Sequence, residues 1–400
     1  GLPIIIPVLL GCAVLTKGPV GLILPLFAFG AYLLMLRRYS LLTIFKSLLY
    51  IGVSSMFLPL LWYIAAWKQG GDQFLDLVLA ENFGRFFHLD TPEINYNLGH
   101  ENGVWYNFMT LAAGFIPWTI FFFFSLFGLK WQKSNQSLKE ILKDSWNRIL
   151  SMEKEKLFSL VALVCIIFFY SIPSSKRSVY LMPAYPFIAI FLAQYAIYIT
   201  EYRTKVTRVF AAFLSSVTAV VLIAIGLTMT GIIDPVAIAS QYTSRAATLS
   251  QVEAMSNMVS YCNGLTICIV IIVLLALLTV LYQMFKKINI KILYATIALS
   301  FTINLLVDGV IMRGIRQDGS ARPFAERVKK EYPLNENNMF VMNNLRIYRN
   351  LYGLNFYLGN RFHNFEQEMP EGGFFFTTPS DLEVVLKNYE GQYTFSILTS

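Results

Sequence analysis

The chain is poor in charge. Charged residues make up 14% of its 400 positions, against roughly 25% in a soluble globular domain. That deficit excludes an ordinary soluble enzyme, and an intrinsically disordered chain with it. Cysteine and histidine are scarce too, at four and three residues. Cys12, Cys165, Cys262 and Cys268 sit in or beside apolar runs and form no CxxC or Cys/His spacing. A disulfide scaffold and a structural zinc site are therefore excluded, and the four read as small buried apolar side chains. No internal repeat and no low-complexity linker occurs. No continuous basic face lies outside the apolar segments, so nucleic acid is not an expected partner. What the sequence does have is apolar residues, 56% of the total, with a mean hydropathy of +0.54. They are gathered into long runs, the mark of a polytopic membrane protein.

Nine candidate spans follow: about 2–16, 19–36, 42–62, 104–128, 157–172, 179–199, 209–231, 264–285 and 292–312. The runs do not alternate as barrel strands do, so helices are expected. The cations divide unequally between the two sets of connections. Sixteen lie in one set, around Arg37–Lys46, Lys130–Lys156, Arg203–Arg208 and Lys286–Lys291; six lie in the other. The positive-inside rule places the first set in the cytoplasm. The nine spans then alternate without conflict, and the tail falls outside. The chain opens on Gly1 directly into an apolar run, with no basic region or cleavage site before it. It reads as a fragment lacking an N-terminal portion rather than as a chain with a signal peptide.

The tail, 313–400, has ten basic and ten acidic residues and no spanning run. A helix is expected over Ala321–Tyr332, and strands over Met339–Val341, Phe374–Thr377 and Tyr393–Leu398. A capping box at Ser380–Glu383 is expected to open a short helix to Tyr389. The expected organisation is a helical membrane domain, 1–312, with an external loop at about 67–103, and a small extracytoplasmic α/β domain, 313–400.

Three groups of residues draw attention. Lys176 and Arg177 lie in a very short connection, Ser174-Ser-Lys-Arg-Ser178, on the cation-poor side. Basic residues held at a membrane mouth call for an anionic partner, and a phosphate suits this pair: Arg binds it bidentately and Lys as a point charge. Side chains snorkelling to membrane lipids are the plainer alternative. Lys17 sits at a tight turn, Leu15-Thr-Lys-Gly-Pro19, next to the start of a helix. A helix start favours an anion, although a solvated hairpin lysine fits equally well. The third group spans the long loop: Glu81, Asn82, Arg85, His88, His100, Glu101, Trp105 and Tyr106. Leu79, Phe83, Phe86 and Phe87 share one helical face there, the pattern of a helix lying in the interface plane. His88 and His100 are the candidates for a divalent metal, but no HxxxH or HExxH spacing supports one, and a solvated histidine is the plainer reading. Trp105 and Tyr106 also read as interfacial aromatics.

Several of these stretches, taken together, are similar to one family. Leu15-Thr-Lys-Gly-Pro19, Glu81-Asn-Phe-Gly-Arg-Phe86, Gly99-His100 to Trp105-Tyr106, Pro117-Trp118 and Ser171-Ile-Pro-Ser-Ser-Lys-Arg-Ser-Val-Tyr-Leu-Met-Pro183 resemble bacterial polyprenyl-phosphate-sugar glycosyltransferases. These are the GT-C class enzymes of glycosyltransferase family 39, related to the lipid A aminoarabinose transferase and to protein O-mannosyltransferases. The resemblance is good over about 1–200, loose over 200–312, and confined to the placement of an α/β domain in the tail. It implies an inverting transferase in the bacterial inner membrane. The donor would be a sugar on undecaprenyl phosphate, and the acceptor lipid A, another glycolipid or a protein hydroxyl. The lipid phosphate would meet Lys176, Arg177, Lys17 and Tyr180. Arg85, His100, Trp105 and Tyr106 would shape the sugar or acceptor pocket, and Glu81 is a weak candidate for a supporting carboxylate. No cofactor is required. Family members carry a catalytic aspartate in a first external loop that this sequence does not contain, so the resemblance places the general base outside these 400 residues and implies that they are inactive alone. A secondary transporter and a membrane-anchored envelope assembly protein are the competing readings. The first leaves the one-sided charge and the missing repeat unexplained; the second leaves Lys176 and Arg177 unexplained.

Overall fold

The computed structural model describes residues 2–79, 102–127, 137–173, 176–260, 263–342 and 345–398. Helices dominate. The first are α1 (Leu2–Lys17), α2 (Val20–Leu36), α3 (Leu41–Ser55), α4 (Phe57–Leu79), α5 (Tyr106–Gly114), α6 (Trp118–Leu126), α7 (Leu138–Leu150) and α8 (Lys154–Ser171). A 3-10 turn, Ser178–Ala184, leads into α9 (Tyr185–Tyr202). Then come α10 (Thr204–Met229), α11 (Pro235–Ser240), α12 (Ala246–Ser260), α13 (Gly264–Lys286) and α14 (Asn289–Leu306). The tail carries α15 (Met312–Asp318), α16 (Arg322–Glu331), β1 (Met339–Val341), α17 (Leu345–Tyr357), β2 (His363–Asn364), α18 (Phe365–Glu368), β3 (Phe374–Phe375) and α19 (Pro379–Asn388).

The nine apolar stretches fall largely on helices. Among the described residues, five helical segments are long and apolar enough to cross a membrane: Leu41–Asp72, Ser178–Tyr202, Thr204–Met229, Gly264–Lys286 and Asn289–Arg316. The expected span at 104–128 is not one straight helix. It is α5 and α6, bent by 101° between them. Pro117 has no N–H to continue the ladder from α5, and the hydroxyl of Thr119 donates to the carbonyl of Ala112 at 2.6 Å across the corner.

Two compact units make up the chain: Gly1–Ser216 with Leu278–Ser300, and Val217–Leu277 with Phe301–Ser400. In the first, α2 and α8 form the central pair. Leu24, Ile166, Phe169 and Ala184 make one buried cluster, with Val20 and Tyr170 against it. Ala28, Leu157, Val161, Ala162 and Cys165 make the next, bordered by Met35, Leu36, Ile149 and Met152. Residue order runs oppositely along the two helices, so they are antiparallel, and the start of α2 lies beside the end of α8. Lipid tails give helix pairing no hydrophobic drive, so close packing and polar contacts must hold such a pair. The hydroxyls of Thr200 and Thr207 meet at 3.0 Å inside the unit, and Arg208 Nε donates to Asn289 Oδ1 at 3.0 Å.

The second unit holds a cluster of Ile225, Val259, Ile269, Val273, Leu306 and Val310. It also holds a three-stranded sheet, order β2-β1-β3, parallel throughout. Helices α16 to α19 supply the cover that a parallel sheet needs: Ala325, Val328, Leu351, Leu354, Leu358 and Val385 form its core with Met339 and Val341. Phe365 is surrounded by the rings of Phe375, Tyr389, Tyr393 and Phe395.

Several expectations change here. Tyr393–Leu398 is not a strand; its aromatic residues pack on Phe365 instead of joining the ladder. The strand at Phe374 ends at Phe375. The last helix begins at Pro379, with Thr378 as its N-cap, so Ser380 lies within the helix rather than capping it. Proline at the first helical position fixes the start two residues earlier than the capping-box pattern suggests. Helix α17 and strand β2 were not expected. Cys165 is buried, but Cys12 and Cys268 are exposed on their helices, and Cys262 lies outside the described residues.

Candidate functional site

Helix α8 ends at Ser171, because Pro173 cannot extend it. The chain then turns back toward α9, and this turn carries the cation pair. Lys176 is only 5% exposed. Its ammonium donates to the carbonyl of Pro173 at 2.6 Å and to that of Asn102 at 3.1 Å. Asn102 Nδ2 donates in return to the carbonyl of Lys176 at 3.1 Å. Burying a charged ammonium is costly unless it is hydrogen-bonded, and here two of its three donors meet main-chain carbonyls. The lysine thus ties the turn after α8 to the segment before α5.

Arg177 is the opposite case. Its backbone is extended (φ −128°, ψ 142°); its side chain is exposed and makes no ion pair or hydrogen bond among the described residues. Its carbonyl accepts from the amide of Tyr180 at 3.1 Å, which opens the 3-10 turn. The Tyr180 ring stacks on Tyr170, with centroids 5.6 Å apart and planes 21° apart. This fixes the ring at the end of α8.

Lys17 is the last residue of α1 and is exposed. A cation there complements the negative end of the helix dipole. Gly18 makes the turn at φ +68°, a conformation costly for any residue with a Cβ, and its amide donates to Val14 at 2.7 Å. Because Val20 packs in the cluster that contains Tyr170 and Ala184, the Lys17 turn lies at the same end of the unit as Lys176, Arg177 and Tyr180. Trp105 and Tyr106 reach this end too. The next residue, Asn107, is buried and donates to the carbonyl of Tyr170 at 3.0 Å and to the hydroxyl of Ser171 at 3.1 Å. Trp105 is 77% exposed, over Phe108; Tyr106 is half-buried.

One end of the first unit therefore gathers three cations, a stacked tyrosine pair and two exposed or half-exposed aromatics. No described carboxylate pairs with Lys17, Lys176 or Arg177, and the described residues hold no group of three or more His, Cys, Asp or Glu suited to a metal. Glu81, Arg85, His88 and His100 lie outside the described residues. Asn102 and Asn107 were not singled out from sequence. Their signal is an amide next to or inside an apolar run, a common form of interhelical glue.

Such an end can bind an anion carried on an apolar chain. Arg177 offers a planar fork of donors and Lys17 a point charge.

Known proteins share this architecture. No family model matches the chain. It resembles ArnT from Cupriavidus metallidurans, both as solved bound to undecaprenyl phosphate (TM-score 0.57, 15% identity) and in the apo state (TM-score 0.59, 16%). The likeness takes in 96% and 97% of this chain and 61% and 65% of the ArnT chain. In sequence it is 26% identical over 198 residues to the undecaprenyl phosphate-alpha-4-amino-4-deoxy-L-arabinose arabinosyl transferase of Erwinia tasmaniensis. That match covers 50% of this chain and 31% of the relative. It is 30% identical over 184 residues to an uncharacterized protein of Aquifex aeolicus, covering 46% of this chain and 30% of that one. The matches thus span about three tenths of the length of these relatives. In fold the chain is thus similar to ArnT, and about half of its sequence is similar to undecaprenyl phosphate-alpha-4-amino-4-deoxy-L-arabinose arabinosyl transferases.

Proposed function

We propose that this chain forms part of a multi-pass inner-membrane glycosyltransferase that takes a sugar from undecaprenyl phosphate. The supporting observation is the gathering of Lys17, Lys176, Arg177 and Tyr180 at one end of the first unit, in a fold shared with ArnT. Arg177 and Lys17 meet the phosphate. Lys176 adds its charge while holding the turn in place, and Tyr180 donates to the phosphate or the sugar. Arg85, His100, Trp105 and Tyr106 line the sugar or acceptor side.

In the reaction, an acceptor hydroxyl attacks C1 of the sugar and its proton passes to a carboxylate base. The bond from C1 to the phosphate oxygen breaks, with inversion, and polyprenyl phosphate leaves as an anion. Cations fixed in advance beside that oxygen stabilise the charge as it develops. The acceptor is a lipid A-type glycolipid or a protein hydroxyl. The cation-rich connections face the cytoplasm, and the site and residues 313–400 face the periplasm.

The test is transfer from a lipid-linked sugar by the full-length protein that carries this chain. Lys176→Ala combined with Arg177→Ala should abolish transfer while membrane expression persists; undiminished turnover would remove the cations from the mechanism. Orientation is tested separately. A cysteine at Ser178 should react with a membrane-impermeant reagent from outside, and one at Ser151 only after the membrane is opened.

A further inference from the structure

Helix α7 takes no part in the site. It belongs to the opposite end of the first unit, because Ile149 and Met152 border the cluster that holds Met35, Leu36 and Leu157, at the far end of α2. A complete capping box starts it: Ser137 accepts from the amide of Glu140, and Glu140 returns a bond to the amide of Ser137 at 2.8 Å. The helix is therefore well specified, yet it buries no residue. Leu138 is 72% exposed, Leu142 61% and Trp146 46%.

The order of side chains around α7 is informative. At about 100° per residue, Leu138, Ile141, Leu142, Trp146 and Ile149 fall on one face. Lys139 and Lys143 follow at one border of that face, and Arg148 at the other. Glu140, Asp144 and Asn147 occupy the opposite pole. A helix facing water on all sides has no reason to sort its charges this way. A helix lying in a bilayer surface does, since border cations reach headgroup phosphates while acids stay in water. Its packed end is continuous with α8, which follows four residues after Leu150 and runs into the apolar interior of the unit.

We propose that α7 is an in-plane helix that docks on an anionic phospholipid surface, with Leu138, Leu142 and Trp146 among the acyl chains and Lys139, Lys143 and Arg148 on the phosphates. It moors the end of the bundle away from the site. The proposal is independent of the sugar-transfer reading.

The test places a bimane fluorophore on Leu142→Cys, or on Asn147→Cys as the opposite-face control, in the whole chain with its native cysteines replaced. The labelled protein is put in nanodiscs containing doxyl-labelled phosphatidylglycerol or doxyl-labelled phosphatidylcholine at equal fraction. Position 142 should be quenched and position 147 spared. Quenching at 142 by the anionic lipid should exceed that by the zwitterionic one by about two-fold, given the attraction of each border cation to an anionic surface. That excess should vanish in the Lys139→Gln, Lys143→Gln, Arg148→Gln variant. Equal quenching by the two lipids would overturn the anionic preference. Absence of quenching at 142 would overturn the docking, and would point to a protein partner or to water on this face.

Discussion

Lys176 and Asn102 exchange hydrogen bonds across 74 residues of sequence: the lysine ammonium donates to the asparagine carbonyl, and the asparagine amide donates to the lysine carbonyl, each at 3.1 Å. The pair joins the turn after α8 to the segment before α5. Its neighbour Arg177 remains exposed. Adjacent cations therefore differ, one tying two segments of the chain together and the other open at the surface.

That division is measurable. Lys176→Met removes a buried donor and leaves two carbonyls poorly satisfied, at about 1.5–3 kcal/mol for each charged hydrogen bond lost. The thermal midpoint of the purified chain should fall clearly. Arg177→Ala, on an exposed side chain, should leave the midpoint within about a degree or two. Equal midpoints for the two variants would remove the structural role assigned to Lys176.

Gly18 sets the direction of the Lys17 turn at φ +68°. Gly18→Ala should cost about 1–2 kcal/mol through the left-handed backbone alone. It should also weaken binding of a lipid phosphate, because Lys17 is displaced with the turn. Thermal unfolding and a binding titration on the same preparation separate the two effects.

In the tail, His363 places Nδ1 2.8 Å from Glu368 Oε1 and Nε2 2.6 Å from the carbonyl of Glu336, while Arg361 pairs with Glu336 at 2.8 Å. Both neighbours of the ring are acceptors, so only the imidazolium satisfies both. The Glu368 carboxylate, then the Glu336 carbonyl, hold the His363 pKa above its ordinary value. The stabilisation is complete below the ordinary histidine value and is lost as pH rises through the raised one. The groups are partly exposed, so the effect is modest and screened by salt. Hydrogen exchange around 361–368, corrected for the intrinsic rate at each pH, should quicken as pH rises through the raised His363 value, and Glu368→Gln should flatten that rise.

Phe365 is 3% exposed among four aromatic rings. Phe365→Ala should destabilise the tail by about 3–5 kcal/mol, read as loss of protection in β1 to β3. Little change would show that the ring cluster does not support the sheet.

Composition made the helices legible, and the short Ser174–Ser178 connection made the cation pair legible, because both depend on local pattern. What remained hidden depends on contacts between distant segments. The break between α5 and α6 sits inside an unbroken apolar run, with only Gly114 and Pro117 to mark it. Tyr393–Leu398 has the residues of a strand, but its rings are drawn to Phe365. The order of Lys176 and Arg177, one buried and one exposed, has no signature in a stretch where both are simply basic. Asn102 and Asn107 matter only because α8 ends where it does. The amphipathic face of α7 was present in the sequence but lay in a stretch read for its charges alone.

The central claim is that this end of the first unit binds the phosphate of a polyprenyl carrier through Arg177. Binding of undecaprenyl phosphate and of undecaprenol to the purified chain, side by side with the Arg177→Ala variant, tests it most directly. The account predicts that the phosphate-bearing lipid binds more tightly than the alcohol, and that Arg177→Ala removes the difference without changing the thermal midpoint. Equal binding of the two lipids, or a phosphate preference that survives in Arg177→Ala, would contradict it.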